Sequence, residues 1–311
     1  MDAAAFASKI RSAFAPCSLG PWPTPLDAAP ALARATGAGD LWLKREDLAG
    51  GNKVRGLEFL LADSRPGTVF VTVGGTGSSH CFATAIYARR LGARIVLAQF
   101  PQPETDASRA IADATARAAD VVVRARSQLT LPWAVLRAWA RARHLGGGAP
   151  RWIPGGGAHP RAVVGHLLAT LELPAQIDAP PDAIVVPLGT GGTAAGILLG
   201  VAYLGWPTRV VAVRVAPRFV ANRWRTARLA RSAAALLDAR DRRFRIPHSD
   251  FRIDVVDGLG AGYGAPSPAG ERARLVAAGH GLRLDPTYGA KAFAAIPAKQ
   301  RIVFWNTFAW P

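Results

Sequence analysis

Short apolar, β-branched runs alternate with alanine-rich stretches along most of this chain. Val69 to Val73, Ile95 to Ala98, Val121 to Val123, Ile184 to Val186, Val210 to Val215, Ile253 to Val256 and Ile302 to Trp305 are the clearest runs. Segments that are apolar without a period-two alternation predict strands covered on both faces. The helical stretches between them predict a mainly parallel sheet flanked by helices, an α/β fold. Ligands of such sheets sit outside the carboxyl ends of the strands. Two glycine clusters fall at such ends: Val73 runs into Gly74-Gly75, and Val186 leads to Gly189-Thr190-Gly191-Gly192. Each precedes a predicted helix, whose unpaired N–H groups and dipole suit an anion. Gly146-Gly147-Gly148 and Gly155-Gly156-Gly157 bracket one more short strand and mark a hinge between two lobes. No internal repeat or low-complexity linker interrupts the pattern.

Composition narrows the class. A chain of 311 residues with 50% hydrophobic content can bury a large core, and it holds no long apolar run free of charge. The start, Met1 to Phe14, lacks a continuous hydrophobic segment, so a secretory signal is not expected and the chain reads as soluble and cytoplasmic. Cys17 and Cys81 are too few for a disulfide framework and match no metal motif. The formal charge of +17 raises the question of nucleic acid. Its densest cluster, Arg218 to Arg245, holds nine arginines among leucines and alanines. A solvated helix face explains that cluster as well as a phosphate-binding stripe does, and nucleic-acid binding is the less favoured reading.

Candidate chemistry centres on Lys53. Of 38 basic residues only five are lysines (9, 44, 53, 291 and 299), and this one follows Gly50-Gly51-Asn52. A lysine with a depressed pKa can attack a carbonyl and form a Schiff base, which a guanidinium cannot. The natural carbonyl partner is pyridoxal phosphate.

The run Lys44-Arg45-Glu46-Asp47-Leu48, followed by Gly50-Gly51-Asn52-Lys53-Val54-Arg55, resembles the D-cysteine desulfhydrase and 1-aminocyclopropane-1-carboxylate deaminase family. The resemblance continues in order through Pro23-Thr24-Pro25-Leu26, Val73 to Cys81, Ile153 to Gly157, Gly189 to Thr193, Gly262-Tyr263-Gly264 and Leu284 to Tyr288. It implies a fold-type II pyridoxal-phosphate enzyme of tryptophan synthase beta-like architecture: two-lobed, three-layer α/β/α, a homodimer. In that architecture residues 1–47 and 159–311 form a large domain and 48–158 a small one. The implied reaction converts a small, D- or cyclopropane amino acid to a 2-oxo acid and ammonia.

The same resemblance assigns roles. Lys53 holds the cofactor and shuttles the α-proton. Gly189, Thr190, Gly191, Gly192 and Thr193 form a phosphate cup, with Asn52 and Ser79 also beside the cofactor. Ser78, Ser79 and His80 face the substrate, Ser78 at its carboxylate. Tyr288 and Tyr263 stand beside the cofactor as proton carriers, and Thr307 faces the pyridine nitrogen. Apart from the resemblance, Ser78 also reads as a helix N-cap, His80 as a hydrogen-bonded structural group, each tyrosine as packing, and Gly155 to Gly157 as a plain turn.

Four positions depart from the family pattern. Gly56 replaces a second lysine near the phosphate, and Ser79 replaces an asparagine. Gly289 replaces the threonine or glutamate after the tyrosine, and Asn306-Thr307-Phe308-Ala309 replaces His-Thr-Gly-Gly. Arg55 or another arginine is the expected substitute for the missing phosphate partner. The departures leave open a weakened homologue that acts as a binding protein, and a racemase or β-replacement enzyme.

Overall fold

The computed structural model describes residues 2–146, 148–247 and 251–308. Gly147 of the first glycine triple, and Ala309 and Pro311 of the chain end, lie outside the described residues. Ten strands are present among the described residues: β1 (Leu26–Ala28), β2 (Asp40–Arg45), β3 (Val69–Gly75), β4 (Arg94–Phe100), β5 (Val121–Arg124), β6 (Arg151–Trp152), β7 (Ala183–Leu188), β8 (Arg209–Arg214), β9 (Ile253–Asp257) and β10 (Arg301–Asn306). They form a six-stranded sheet in the order β1-β2-β10-β7-β8-β9 and a four-stranded sheet in the order β5-β4-β3-β6. Only the short edge strand β1 runs antiparallel to its neighbour among these pairs.

The helices are α1 (Ala3–Phe14), α2 (Pro30–Thr36), α3 (Lys53–Leu60), α4 (Ser79–Arg90), α5 (Asp106–Ala118), α6 (Leu131–Arg143), α7 (Pro160–Thr170), α8 (Gly192–Leu204), α9 (Arg223–Arg240), α10 (Pro268–Gly279) and α11 (Gly289–Phe293). They cover both faces of each sheet, which is why the strands are apolar throughout. In β7 and β10, Ile184, Val186, Val303 and Trp305 enter one core, while Ala183, Val185, Ile302 and Phe304 enter another on the opposite face. In the smaller sheet Phe70, Ile95 and Leu97 face one layer and Val69, Val71, Val96 and Ala98 the other. Alternate residues of a strand point to opposite faces, so two apolar layers demand an unbroken apolar run.

All seven expected strands are present, and the bracketed segment is β6. Strands β1 and β2 carry no such signal. In β2, Leu41 and Leu43 are buried, but so is Lys44, which is fully enclosed and donates to the Thr24 carbonyl (2.8 Å), Glu172 (2.6 Å) and Gln176 (2.9 Å). A buried lysine satisfied by tertiary partners reads locally as a surface residue.

Glycines set the helix packing behind the site. A Cβ on Gly165 of α7 would lie 2.0 Å from the Arg55 carbonyl oxygen of α3. One on Gly196 of α8 would lie 2.3 Å from the His166 side chain, and one on Gly200 would lie 2.4 Å from Thr170. Helix α7 is thereby held at close range between α3 and α8. The arginine-rich segment is mostly α9, which buries Thr226, Ala227, Ala230, Ala233, Ala234 and Leu237 and turns its other residues outward. This is the solvated-face arrangement.

Candidate active site

Lys53 is the first residue of α3. The preceding turn needs glycine: Gly50 and Gly51 have φ of 79° and 94°, and a Cβ on Gly51 would lie 3.1 Å from the Thr307 carbonyl oxygen. Asn52 fixes the turn by donating from its backbone to that carbonyl (2.8 Å) and from its side chain to Thr193 Oγ1 (2.7 Å). The Lys53 Nζ donates to the Gly156 carbonyl at 3.3 Å. Burial lowers its pKa from 10.5 to about 8, so a useful fraction of the amine is neutral and nucleophilic near neutrality.

Lys53 lies where two recesses meet. The smaller, polar one is lined by Asn52, Ser79, Thr307 and the turn Gly189 to Thr193 between β7 and α8. Gly191, at φ 91°, caps α8 without a side-chain bond, so the N-terminal N–H groups of a 13-residue helix remain open to an anion. Thr190 Oγ1 is buried without a hydrogen-bond partner, and a Cβ on Gly189 would meet nothing within 4 Å. An orphaned hydroxyl, free amides and open space beside a pKa-lowered lysine fit pyridoxal phosphate.

The larger recess is a cavity of about 380 Å³ that Lys53 shares with Ser78, His80, Thr190, Tyr263 and Tyr288. Ser78 fills both of its expected places: its Oγ caps α4 by accepting from the Cys81 N–H (3.3 Å), and it lines the cavity. His80 also reaches the wall, but its ring is held by Thr72 Oγ1 (2.9 Å, to Nε2), and Thr84 Oγ1, 3.4 Å from Nδ1, donates to the His80 carbonyl (2.7 Å). The Thr72 hydroxyl donates to the Ile153 carbonyl, which leaves Nε2 of His80 as the donor in that pair. Burial, and then the charge of Lys53, push the His80 pKa down to about 3, so the ring is neutral.

Tyr288 and Tyr263 share a hydrogen bond of 2.5 Å between their hydroxyls. Burial raises both, Tyr263 to about 12 and Tyr288 well above its ordinary value, where the bond to Tyr263 raises it further. Both phenols are therefore protonated. Asp285 sets the Tyr288 backbone by accepting the N–H groups of Thr287 (3.1 Å), Tyr288 (2.7 Å) and Gly289 (2.7 Å). Lys291 secures the loop of Tyr263 through the carbonyls of Leu259 (2.8 Å) and Gly262 (3.3 Å).

Two departures from the pattern have packing causes. A Cβ on Gly56 would stand 2.9 Å from the Ala162 Cβ, so the α3–α7 crossing leaves no room for lysine. A Cβ on Gly289 would stand 2.9 Å from Asp285 Oδ2, the oxygen its own N–H bonds. Arg55 does not replace the missing phosphate partner. It is fully buried away from both recesses, paired with Glu46 (2.9 Å) and Glu172 (2.5 Å) and stacked under Trp22 at 3.7 Å. Both carboxylates already satisfy its charge.

The glycine triple at 155–157 is more than a plain turn. Gly155 and Gly156 line the cavity, and a Cβ on Gly156 (φ 67°) would come 2.3 Å from Thr190 Oγ1. Sequence reasoning missed Phe100, Gln128, Leu131, Ala216, Pro217, Phe219 and Val220 as cavity wall. All lie at or beyond the carboxyl ends of β4, β5 and β8, so the rule that placed the glycine clusters could have found them.

Residues 17–307 match the model of the pyridoxal-phosphate dependent enzyme family. The chain belongs to this family. It is 32% identical over 293 residues to a Pyrococcus furiosus protein provisionally named 1-aminocyclopropane-1-carboxylate deaminase, covering 91% of this chain and 86% of that protein. It is 30% identical over 286 residues to D-cysteine desulfhydrase of Salmonella paratyphi B (88% and 85% covered) and 36% identical over 288 residues to nocardicin C-9' epimerase of Nocardia uniformis (85% and 85%). Among solved structures, an ACC deaminase homologue superposes with a TM-score of 0.79 at 29% identity, covering 96% of this chain and 94% of that one. The fold is thus fold-type II and the cofactor is pyridoxal phosphate.

Proposed function

We propose that the protein removes the α-proton and a β-substituent, or opens a strained ring, of a free amino acid to yield a 2-oxo acid and ammonia. The observation that carries this reading is Lys53. Its amine, lowered to about 8, stands between an open anion cup and a pair of protonated tyrosines in one cavity. Residues Gly189 to Thr193 would hold the phosphate, with Asn52 bracing the cup through Thr193. Ser79 and Thr307 would face the ring, Thr307 as a neutral partner of its nitrogen. When bound, the cofactor supplies an electron sink for the negative charge left at the substrate α-carbon. Lys53, once its amine is free, accepts the α-proton. Ser78 and the open start of α4 hold the substrate carboxylate. Tyr288, hydrogen-bonded to Tyr263, positions a proton for the departing or ring-opened carbon, and neutral His80 keeps the wall beside Lys53 uncharged.

The lobe division at 48–158, a homodimer and a cytoplasmic location belong to the same reading. The location is supported by two free cysteines. Light scattering at about twice the 32.7 kDa chain mass would support the dimer.

The test is to incubate the pyridoxal-phosphate-loaded protein with D-cysteine, D-serine and 1-aminocyclopropane-1-carboxylate and to measure 2-oxo acid and ammonium. Release of both in equal amounts is expected. Inversion of a stereocentre with no 2-oxo acid from any amino acid would replace the proposal with a racemase.

A further inference from the structure

The cavity wall supplied at and beyond the carboxyl ends of β4, β5 and β8, its outer half, is mainly apolar. One side is made by Phe100, where β4 ends, and Leu131, where α6 begins. The other is made by Ala216, Pro217, Phe219 and Val220, which follow β8. Gln128 is the single polar side chain of this outer half. Although the chain carries 33 arginines and 21 acidic residues, no arginine, aspartate or glutamate lines the cavity among the described residues. Lys53 is its one cation, and the cofactor engages it.

Both walls are preformed. The 217–220 segment is a closed turn, with the N–H groups of Val220 (2.8 Å) and Ala221 (2.9 Å) on the Pro217 carbonyl. Arg214 clamps it from the sheet through the Ala221 carbonyl at 3.0 Å. Opposite, Ser127 and Thr130 exchange backbone-to-hydroxyl bonds of 3.0 and 3.4 Å, fixing the approach to Leu131. Phe100 leans on Tyr263 with ring centroids 6.0 Å apart, which joins the apolar wall to the tyrosine pair. Phe219 remains 74% exposed at the mouth, a large aromatic face with little packed on it.

Volume decides the size of the guest. A cavity of about 150 Å³ suffices for one benzene-sized ring. The 380 Å³ here therefore has room for the cofactor ring and a second ring-sized group. A thiol or a cyclopropane would leave the outer half filled by water against apolar walls, an arrangement that favours displacement by apolar substituents.

We propose that the preferred substrate is an amino acid whose β-substituent carries an uncharged, ring-sized apolar group, seated between Phe100 and Leu131 on one side and the Ala216 to Val220 turn on the other. The inference rests on the reaction proposed above and changes the substrate class from small to bulky. For a thioether substrate the Cα–H and Cβ–S bonds break and the thiol leaves carrying a proton. Water then hydrolyses the released enamine to pyruvate and ammonium, so no oxidant or reductant is needed.

Two measurements on the loaded enzyme test it. The first is binding of phenylalanine and alanine, in both enantiomers, by isothermal calorimetry; neither has a β-leaving group. The proposal expects phenylalanine to bind at least about tenfold more tightly than alanine, with Phe219→Ala reducing that ratio severalfold. The second is pyruvate release from S-benzylcysteine, S-methylcysteine and cysteine, which share one product and differ only in bulk. A kcat/KM for the S-benzyl compound about tenfold or more above that for the S-methyl compound is expected. Equal binding of alanine and phenylalanine, or turnover of cysteine with exclusion of the benzyl thioether, would overturn the inference and leave the elimination reading standing. Preferential phenylalanine binding with no pyruvate from any thioether would support the pocket and remove the elimination reading instead.

Discussion

Lys53 carries the chemistry through one number, a pKa brought down to about 8 by burial. The neutral amine is the reactive form, so capture of pyridoxal phosphate by the apoprotein should accelerate as pH rises and reach half its maximal rate near pH 8. Stopped-flow absorbance at the visible band measures this, and a midpoint above pH 10 would contradict the environment described. Lys53→Ala should show no visible band after dialysis against cofactor-free buffer and should lose turnover by at least about 10³-fold. Tyr288→Phe separates proton transfer from cofactor binding. It should keep the visible band while the rate of 2-oxo acid formation falls by roughly 10²- to 10⁴-fold. The lysine and the tyrosines were legible because each is a rare residue type in an ordered block, and the glycine cup because its glycines cluster with threonines at a strand end. His80 was legible only as a position, since its tautomer depends on Thr72, which no motif marks, and its neutrality on burial beside Lys53.

Helix α3 presents Lys53 at its first turn and is fixed from behind by α7. Gly56→Lys, which would restore the usual family residue, should not strengthen cofactor binding. Its side chain begins 2.9 Å from Ala162, and overpacking there should cost about 1–3 kcal/mol by denaturant unfolding. Tighter cofactor binding by this variant would mean that α7 yields easily and that the packing explanation is wrong. On the other flank of α3, Arg55 couples to Glu46 and Glu172, and Lys44 shares Glu172. Replacing Glu172 with Gln leaves two buried cations with one carboxylate fewer, and a loss of about 3–5 kcal/mol in unfolding free energy is expected. Urea titrations of the two proteins at equal pH check it. Sequence reading saw these residues as part of a motif run and as a possible phosphate partner. Their partner at position 172 lies more than a hundred residues away, and no local pattern connects them.

For the molecule as a whole, two buried neutral histidines make stability fall in acid, offset in part by Asp285, whose carboxyl burial raises to about 6. His80 is pushed to about 3 and His166 well below its ordinary value of 6.5, both first by burial. In the unfolded chain each protonates near 6.5, so the unfolded state gains protons first. The stability they provide is complete above that pH and declines as pH falls toward their folded values. Each should cost up to about 1.4 kcal/mol per pH unit below 6.5. Urea midpoints at pH 7.5 and 5.0 should therefore differ clearly, and a His166→Asn variant should lose part of that difference. The α/β layering was set by the sequence alone, because a strand covered on both faces must be apolar at every position. The cofactor class was set there too, because a lone lysine in a glycine turn and a glycine-threonine cup announce themselves through residue types that substitutes cannot imitate. Strand β2, the exclusion of side chains at Gly56 and Gly289, the true partners of Arg55 and the apolar outer half of the cavity were decided only by tertiary structure. Each depends on surfaces brought together from distant segments, and the distances between those surfaces are a property of the packed molecule, absent from any local stretch of chain.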